Sequence, residues 1–391
     1  MKFSSLVYIL GAGASKAAGV PDFEQCWQMV DRRLFITDPA RWASSPRMRR
    51  AMSLAFDEYC KLERSGRAKD LEALCVALRT RSKAALLNRE PRDVAGLQTA
   101  RACVDAEYEI RKVFMELVAV DVRVPLKTRV EAPGEKMSRW FPTKSNRSDV
   151  TRATQYRDAW LMGGQPLVDI FTLNNDLVVE TVAKQLSLPI ADGFTSSGSL
   201  DYPDWHCFTR AVSGIRLYKL HGSVNWRLKA QRISRQQTSG LRALLARGNA
   251  ASEAWNVPLV WPGIYEELPQ LDDLRCKFLT EAVSSARCVV IAGYRMKDPV
   301  IRDSLTTGLK NWPVPTGRRV IVVCGADYSD PSDPARKSIL EEWISQWPGG
   351  IIVETRSGFA PTGKMTSGYF PDIAGNRRFC EIVRDAIASV D

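Results

Sequence analysis

The sequence predicts an α/β protein: a parallel sheet with helices on both faces, plus an inserted, mainly helical module. Three observations predict it. The apolar, β-prone residues 5–10 run into a glycine turn and then a helical pattern. From about residue 165, strand-like and helix-like segments alternate, which implies parallel strands joined by helices. Between these stretches, residues 24–119 carry apolar side chains at helical spacing.

The first element, "SLVYIL", reads as a buried strand. Gly11 and Gly13 break it, and a helix begins between Ser15 and Ala18. The segments "RMRRAMSLAFDEYCKLERSG", "KDLEALCVALRTRSKAALLN" and "VAGLQTARACVDAEYEIRKVFMELVAV" are three helices of the insert. Residues 121–150 hold three prolines, many charges and no period, and read as a long surface loop. The alternation then gives strands in "LVDIFTL", "IRLYKL", "VPLVW", "RCVVIAGY", "RRVIVVCG" and "GIIVE". The helices are "DLVVETVAKQL", "LDDLRCKFLTEAVSSA", "DPVIRDSLTTGLK", "ARKSILEEWISQW" and "RRFCEIVRDAIASV". This organisation divides the chain into an α/β domain of residues 1–23 and 161–391 and a helical insert of residues 24–160.

Composition narrows the function classes. With 391 residues and 45% hydrophobic side chains, the chain can bury a sizeable core. No apolar run reaches the ~18 residues of a membrane span. The start, "MKFSSLVYILGAGAS", has the charge and apolar run of a secretory signal, but it leads into a glycine turn and reads as a strand. Nine cysteines are scattered with no C-x-x-C pair, which argues against a disulfide framework or a zinc ribbon. Single thiols in a reducing cytoplasm fit better. The net charge is +11. Residues 31–160 contain 27 basic against 18 acidic side chains, so most of the excess sits on the insert. Two readings stand: a basic surface for nucleic acid or an acidic protein, or a solvated helical face.

Four motifs carry the candidate chemistry. In "GAGASKAAGVPDF", Gly11 and Gly13 allow a tight turn with backbone N–H groups facing a phosphate, and the helix adds its positive end. Pro21, Asp22 and Phe23 extend that motif with a fixed turn, a carboxylate and an aromatic face. In "TLNND", Asn174 and Asp176 follow a parallel strand, where ligands of open α/β sheets bind; a simple helix cap is the alternative. In "LYKLHGSVNW", His221 follows a strand and precedes Gly222. It is one of only two histidines, and its imidazole suits general-base work near neutral pH. His206 has no such context. In "VVIAGYRMKDP", Gly293 ends a strand and Asp298-Pro299 starts a helix, either as the far half of a dinucleotide site or as an ordinary loop.

In this order the motifs resemble those of the sirtuin-like family of NAD-binding proteins. "GAGAS" is similar to the family's phosphate loop, "GVPDF" to its Pro-Asp-Phe element, "TLNND" to its Thr-x-Asn-x-Asp motif and "LHG" to its His-Gly. "KLHGSVNW" and "GYRMKDP" resemble the bacterial antiphage-defence branch more than the protein deacylases. The resemblance covers residues 5–23 and about 168–354. It departs in three places. The paired zinc cysteines of deacylase sirtuins are absent, Glu24 replaces an arginine, and Leu173 and Asn175 fill the variable positions.

The resemblance implies a Rossmann-like sheet and hydrolysis of NAD to nicotinamide and ADP-ribose, with NAD as substrate and no zinc. Gly11, Ala12, Gly13 and Ser15 would cradle the pyrophosphate, Asp22 and Phe23 would flank the nicotinamide ribose, and Gly293 would border the adenosine half. Asn174 would hold a water or ribose hydroxyl, Asp176 would fix the local geometry, and His221 would act as general base. It also implies a cytoplasmic homo-oligomer held in check by a partner. That partner is expected to be a separate HerA-type ATPase and translocase or, in second place, an Argonaute-like protein. The basic insert would offer the contact, to protein or to nucleic acid. Other readings are a sirtuin-type deacylase, a non-catalytic sensor of NAD or ADP-ribose, and a nucleic-acid-binding or nuclease-like factor.

Overall fold

The computed structural model describes residues 2–15, 20, 23–31, 34–35, 45–64, 71–87, 94–118, 166–185, 187–197, 200–229, 232–235, 271–294, 296, 298–312, 317–324, 341–347, 350–354 and 377–388. The expected loop at 121–150, the "VPLVW" strand at 257–261 and Asp22 lie outside them. The chain divides into two compact units. One comprises Met1–Val20, Val120–Ser223 and Leu268–Asp391, and the other comprises Pro21–Ala119 and Val224–Glu267. The second unit therefore takes in residues 224–267 as well as helices of the segment set apart by sequence.

Eleven strands occur among the described residues. They are β1 (Leu6–Leu10), β2 (Leu167–Thr172), β3 (Ile190–Ala191), β4 (Phe194–Ser197), β5 (Leu200–Pro203), β6 (Gly214–Lys219), β7 (Trp226–Lys229), β8 (Arg232–Arg235), β9 (Cys288–Ala292), β10 (Arg319–Cys324) and β11 (Gly350–Glu354). Seven of them, all in the first unit, form one sheet in the order β11-β10-β9-β1-β2-β6-β3. Every pairing is parallel. If β3 is set aside as a two-residue edge addition, the order is 3-2-1-4-5-6, that of the doubly wound dinucleotide-binding sheets. The α/β fold class read from the sequence is the observed one.

The strands form because their sequences suit burial on both faces. "LVYIL" and "CVVIA" are apolar and contain β-branched residues, and every residue of both is buried. Parallel neighbours need long crossovers. Helices serve here, among them Val178–Gln185 after β2, Leu279–Ser285 before β9 and Pro299–Lys310 after it. The predicted helix over "LDDLRCKFLTEAVSSA" begins with a π-helical stretch, Asp273–Phe278. The sequence reading missed the short hairpin β4–β5, whose four-residue strands are too short to show a period.

At the amino-terminal half of the sheet, the parallel register sets Asp169 of β2 beside Arg216 of β6. Both are fully buried. Arg216 reaches the carboxylate through Nε at 2.6 Å and Nη2 at 2.7 Å. The Ser4 N–H and the Tyr218 hydroxyl donate to the same carboxylate at 2.6 and 3.2 Å. Burial pushes the Tyr218 phenol well above its ordinary pKa, and the Asp169 charge adds to the effect. Its ring stacks on Phe171 and Phe208, each with centroids 4.2 Å away.

In the second unit, the helices Pro46–Arg64, Leu71–Leu87 and Val94–Val118 pack against one another. Glu107 is buried among them and binds Arg79 at 2.6 Å and Arg111 at 2.8 Å. Trp27, from the helix Phe23–Asp31, stacks on Tyr59 at 5.4 Å. Of the basic side chains, Arg47 is held by Asp105 and Arg50 by Gln98, while Arg49 is exposed. No helix among the described residues is long and apolar enough to cross a membrane.

Removing one member of a buried ion pair strands the other's charge. Asp169→Ala is expected to cost about 3–5 kcal/mol, read as a lower denaturant midpoint. A midpoint unchanged from wild type would show that Arg216 finds compensation elsewhere.

Candidate functional site at the carboxyl edge of the sheet

The parallel registers bring four chain segments to one edge at one level. Leu10 is level with Thr172 and with Ala292, and Thr172 is level with Lys219. Gly11, Leu173, Leu220 and Gly293 are therefore the first residues beyond β1, β2, β6 and β9. Asn174 and His221 each lie one residue further on. The edge lies at the switch point between β1 and β9, where the chain direction across the sheet reverses and doubly wound folds bind dinucleotides.

At that switch point two loops touch through their backbones. Gly11 N–H donates to Ala292 O at 2.9 Å, and Gly13 N–H to Gly293 O at 3.3 Å. A Cβ on Gly11 would come within 2.4 Å of Gly293 O, and one on Gly13 within 2.9 Å of Gly293 Cα. Gly293 has φ +64, and a Cβ there would lie 2.4 Å from the Ala14 nitrogen. Glycine is required at all three positions for close approach. The helical turn begins at Ala12, three residues earlier than the sequence suggests, and Ser15 is buried within it.

Asn174 bridges the loops after β1 and β2. Its Nδ2 donates to Gly11 O at 2.9 Å and to Ser15 Oγ at 2.8 Å. The carbonyl partner accepts only, so the amide orientation is fixed and Nδ2 has no further proton to give. No donor reaches its Oδ1 among the described residues. Asp176 is buried and accepts from Val178 N–H at 2.9 Å, which caps the helix Val178–Gln185. It thus organises the turn that presents Asn174.

Two residues that sequence reasoning passed over hold this turn in place. Asn175 Nδ2 donates to His221 O at 2.7 Å and so ties the loop after β2 to the loop after β6. Lys219 is buried at the end of β6, and its Nζ donates to the carbonyls of Asn174 and Asp176. It also pairs with Glu180 at 3.1 Å. Burial raises the Glu180 carboxyl above its usual pKa against the pull of Lys219. A lysine at the last position of a fully buried strand was the visible signal.

His221 is 5% exposed, and its Nε2 lies 2.7 Å from Asp298 Oδ2. Asp298 is 2% exposed. Its Oδ1 accepts from Val300 and Ile301 N–H at 3.0 and 3.2 Å, which caps the helix Pro299–Lys310. The sequence offers Asp298 as a helix start, in a segment read either as the far half of a dinucleotide site or as an ordinary loop. The strand order puts β1 and β2 between β9 and β6, so the loop after β9 reaches across two strand ends to meet His221. Gly222 follows with φ +78, which frees the chain to turn away. His206 lies elsewhere, on the exposed turn before the helix Cys207–Arg210.

Of the residues singled out by sequence, Gly11, Ala12, Gly13, Ser15, Asn174, Asp176, His221 and Gly293 meet at this edge. Phe23 opens a helix of the other unit, and its side chain is not described. Among the described residues no group of His, Cys, Asp or Glu is placed to hold a metal ion. What remains is a polar edge with one open amide oxygen and a carboxylate-backed imidazole, on a sheet of the dinucleotide-binding class. Residues 168–346 match the family model of the SIR2-like domain. The match includes Asn174, His221, Gly293 and Asp298 and supports a sirtuin-like family, whose domains bind NAD and are generally NAD-dependent enzymes. No curated protein matches the chain.

The loop contact yields a test of its own. Gly293→Ala adds a strained backbone conformation, of about 1–3 kcal/mol, to a clash with Ala14. A clear fall in thermal midpoint is expected, and an unchanged midpoint would mean that the two loops do not touch.

Proposed function

We propose that the chain is an NAD glycohydrolase, converting NAD and water to nicotinamide, ADP-ribose and a proton. The observation that carries this reading is the pairing, at one level of the sheet edge, of Asn174 with an open Oδ1 and His221 with a buried carboxylate behind it. Asn174 binds Gly11 O beside the glycine contact at the switch point, and His221 is joined through Asp298 to the loop that Gly293 begins.

In NAD the nicotinamide nitrogen is cationic, so the C1′–N bond breaks with the electron pair moving to that nitrogen and no acid is required. Asn174 Oδ1 would orient the attacking water or a ribose hydroxyl, with Asp176 and Lys219 fixing its loop. His221 would accept the proton released as the C1′–O bond forms. The loop Gly11, Ala12, Gly13 and Ser15 would lie along the pyrophosphate, with Gly293 closing its far side. Since the Gly11 N–H is already bonded to Ala292, its contribution would be close approach rather than donation. Asp22 and Phe23 are proposed beside the nicotinamide ribose. The absence of cysteine pairs favours hydrolysis over protein deacylation.

Unregulated NAD loss would harm its own cell, so the reading includes control by a partner. We propose a homo-oligomer in antiphage defence, acting in the cytoplasm with a HerA-type translocase, with the exposed Arg49 face of the helical module as contact.

The test is nicotinamide release from NAD by wild type, Asn174→Ala and His221→Ala, in cells carrying the neighbouring genes and challenged with phage. Wild type should deplete NAD. His221→Ala should be slower by about 10²–10⁴-fold, and Asn174→Ala should also retain NAD. Stable NAD in every strain, with all proteins folded, would sink the reading in favour of an NAD sensor. Arg49→Glu should weaken assembly with the partner, and an unchanged complex would remove this face from the interface.

A further inference from the structure

We infer that Asp298 is the positioning residue of this site, and that it fixes the His221 tautomer so that Nδ1 is the proton-accepting atom. This rests on the NAD glycohydrolase reading for its catalytic consequence, but not for its structural part.

Three features of the geometry carry it. First, the two oxygens of the carboxylate are divided between tasks. Oδ1 accepts from the Val300 and Ile301 N–H groups, while Oδ2 faces His221 Nε2 at 2.7 Å. A carboxylate only accepts, so in the neutral imidazole Nε2 must carry the proton and Nδ1 must hold the lone pair. Second, both partners are buried, Asp298 at 2% and His221 at 5% exposure. Little water is available to compete, and a hydrogen bond to an ionised group in such surroundings is strong. Third, the backbone that carries the ring is anchored, because Asn175 Nδ2 donates to His221 O at 2.7 Å. No protein donor or acceptor reaches Nδ1 among the described residues. The imidazole is fixed at one nitrogen and open at the other, which is the arrangement a general base needs.

The cap makes a clean variant possible. In Asp298→Asn, the two backbone N–H groups keep the amide oxygen at the helix N-terminus, since an NH₂ group placed there would face two donors. The Nδ2 group then points at His221 Nε2 and donates to it. That forces the proton onto Nδ1 and removes the open base, with the helix cap intact.

The experiment uses the full chain labelled with ¹⁵N-histidine. His206→Gln leaves His221 as the one labelled ring, because the sequence has two histidines. Ring ¹⁵N shifts are read at a pH where imidazole is neutral, in the protein without NAD. The expected result is an Nε2–H tautomer with Asp298 and an Nδ1–H tautomer in Asp298→Asn, with thermal midpoints close together. In the activated complex, kcat of Asp298→Asn should fall by about 10³–10⁴-fold with KM nearly unchanged. An Nδ1–H tautomer in the parent protein, or the same tautomer in both proteins, overturns the inference. A flipped tautomer with undiminished kcat overturns its catalytic half. If wild type never cleaves NAD, the glycohydrolase reading falls, and the tautomer pair still decides what Asp298 does.

Discussion

The backbone of the loop after β1 lies against the backbone of the loop after β9, with Gly11, Gly13 and Gly293 leaving no room for a Cβ between them. Everything at the carboxyl edge depends on that contact. It brings together the two halves of a sheet whose chain moves outward in one direction through β2 and β6 and in the other through β9, β10 and β11. It also sets the Gly11 carbonyl and the Ser15 hydroxyl where a single amide, that of Asn174, binds both. A bulkier residue would separate the loops and with them the two halves of the edge.

From that contact the remaining ties follow in sequence around the edge. Asn174 joins the loop after β1 to the loop after β2, Asn175 joins the latter to the loop after β6, and His221 joins that to the loop after β9 through Asp298. Lys219 supports the ring from below by binding two of its carbonyls. Each tie is one polar side chain, buried at Asn174, His221 and Asp298 and half-buried at Asn175, bound to a partner on another segment. Buried polar groups of this kind are costly when unpaired and specific when paired. The edge is therefore rigid by hydrogen bonding, while the sheet beneath it is rigid by apolar packing.

Much of this was legible in the sequence because the sheet is made of short apolar runs such as "LVYIL" and "CVVIA", punctuated by glycine or Asn-Asp turns. Gly11, Asn174, His221 and Gly293 stood out because each follows such a run directly. Asp298, Asn175 and Lys219 did not, for a physical reason: their roles are defined by partners far along the chain. Asp298 lies 77 residues from His221, and Asn175 lies 46 from the carbonyl it binds. Local pattern carries no information on such distances. It showed Asp298 only as what it also is, the cap of the helix Pro299–Lys310. The hairpin strands β4 and β5 escaped for another reason, since four residues with serine, threonine and aspartate among them make neither an apolar run nor a period.

That double duty of Asp298 has a consequence for how the protein can vary. One carboxylate serves a helix through one oxygen and the imidazole through the other, so the helix cap and the contact with His221 draw on the same side chain. Glutamate carries the charge on a longer arm, serine caps a helix but offers no anion, and asparagine caps but reverses the proton's place on the ring. A substitution at position 298 therefore has to serve the helix end and the imidazole at once, and a residue that serves only one of them loses the other contact.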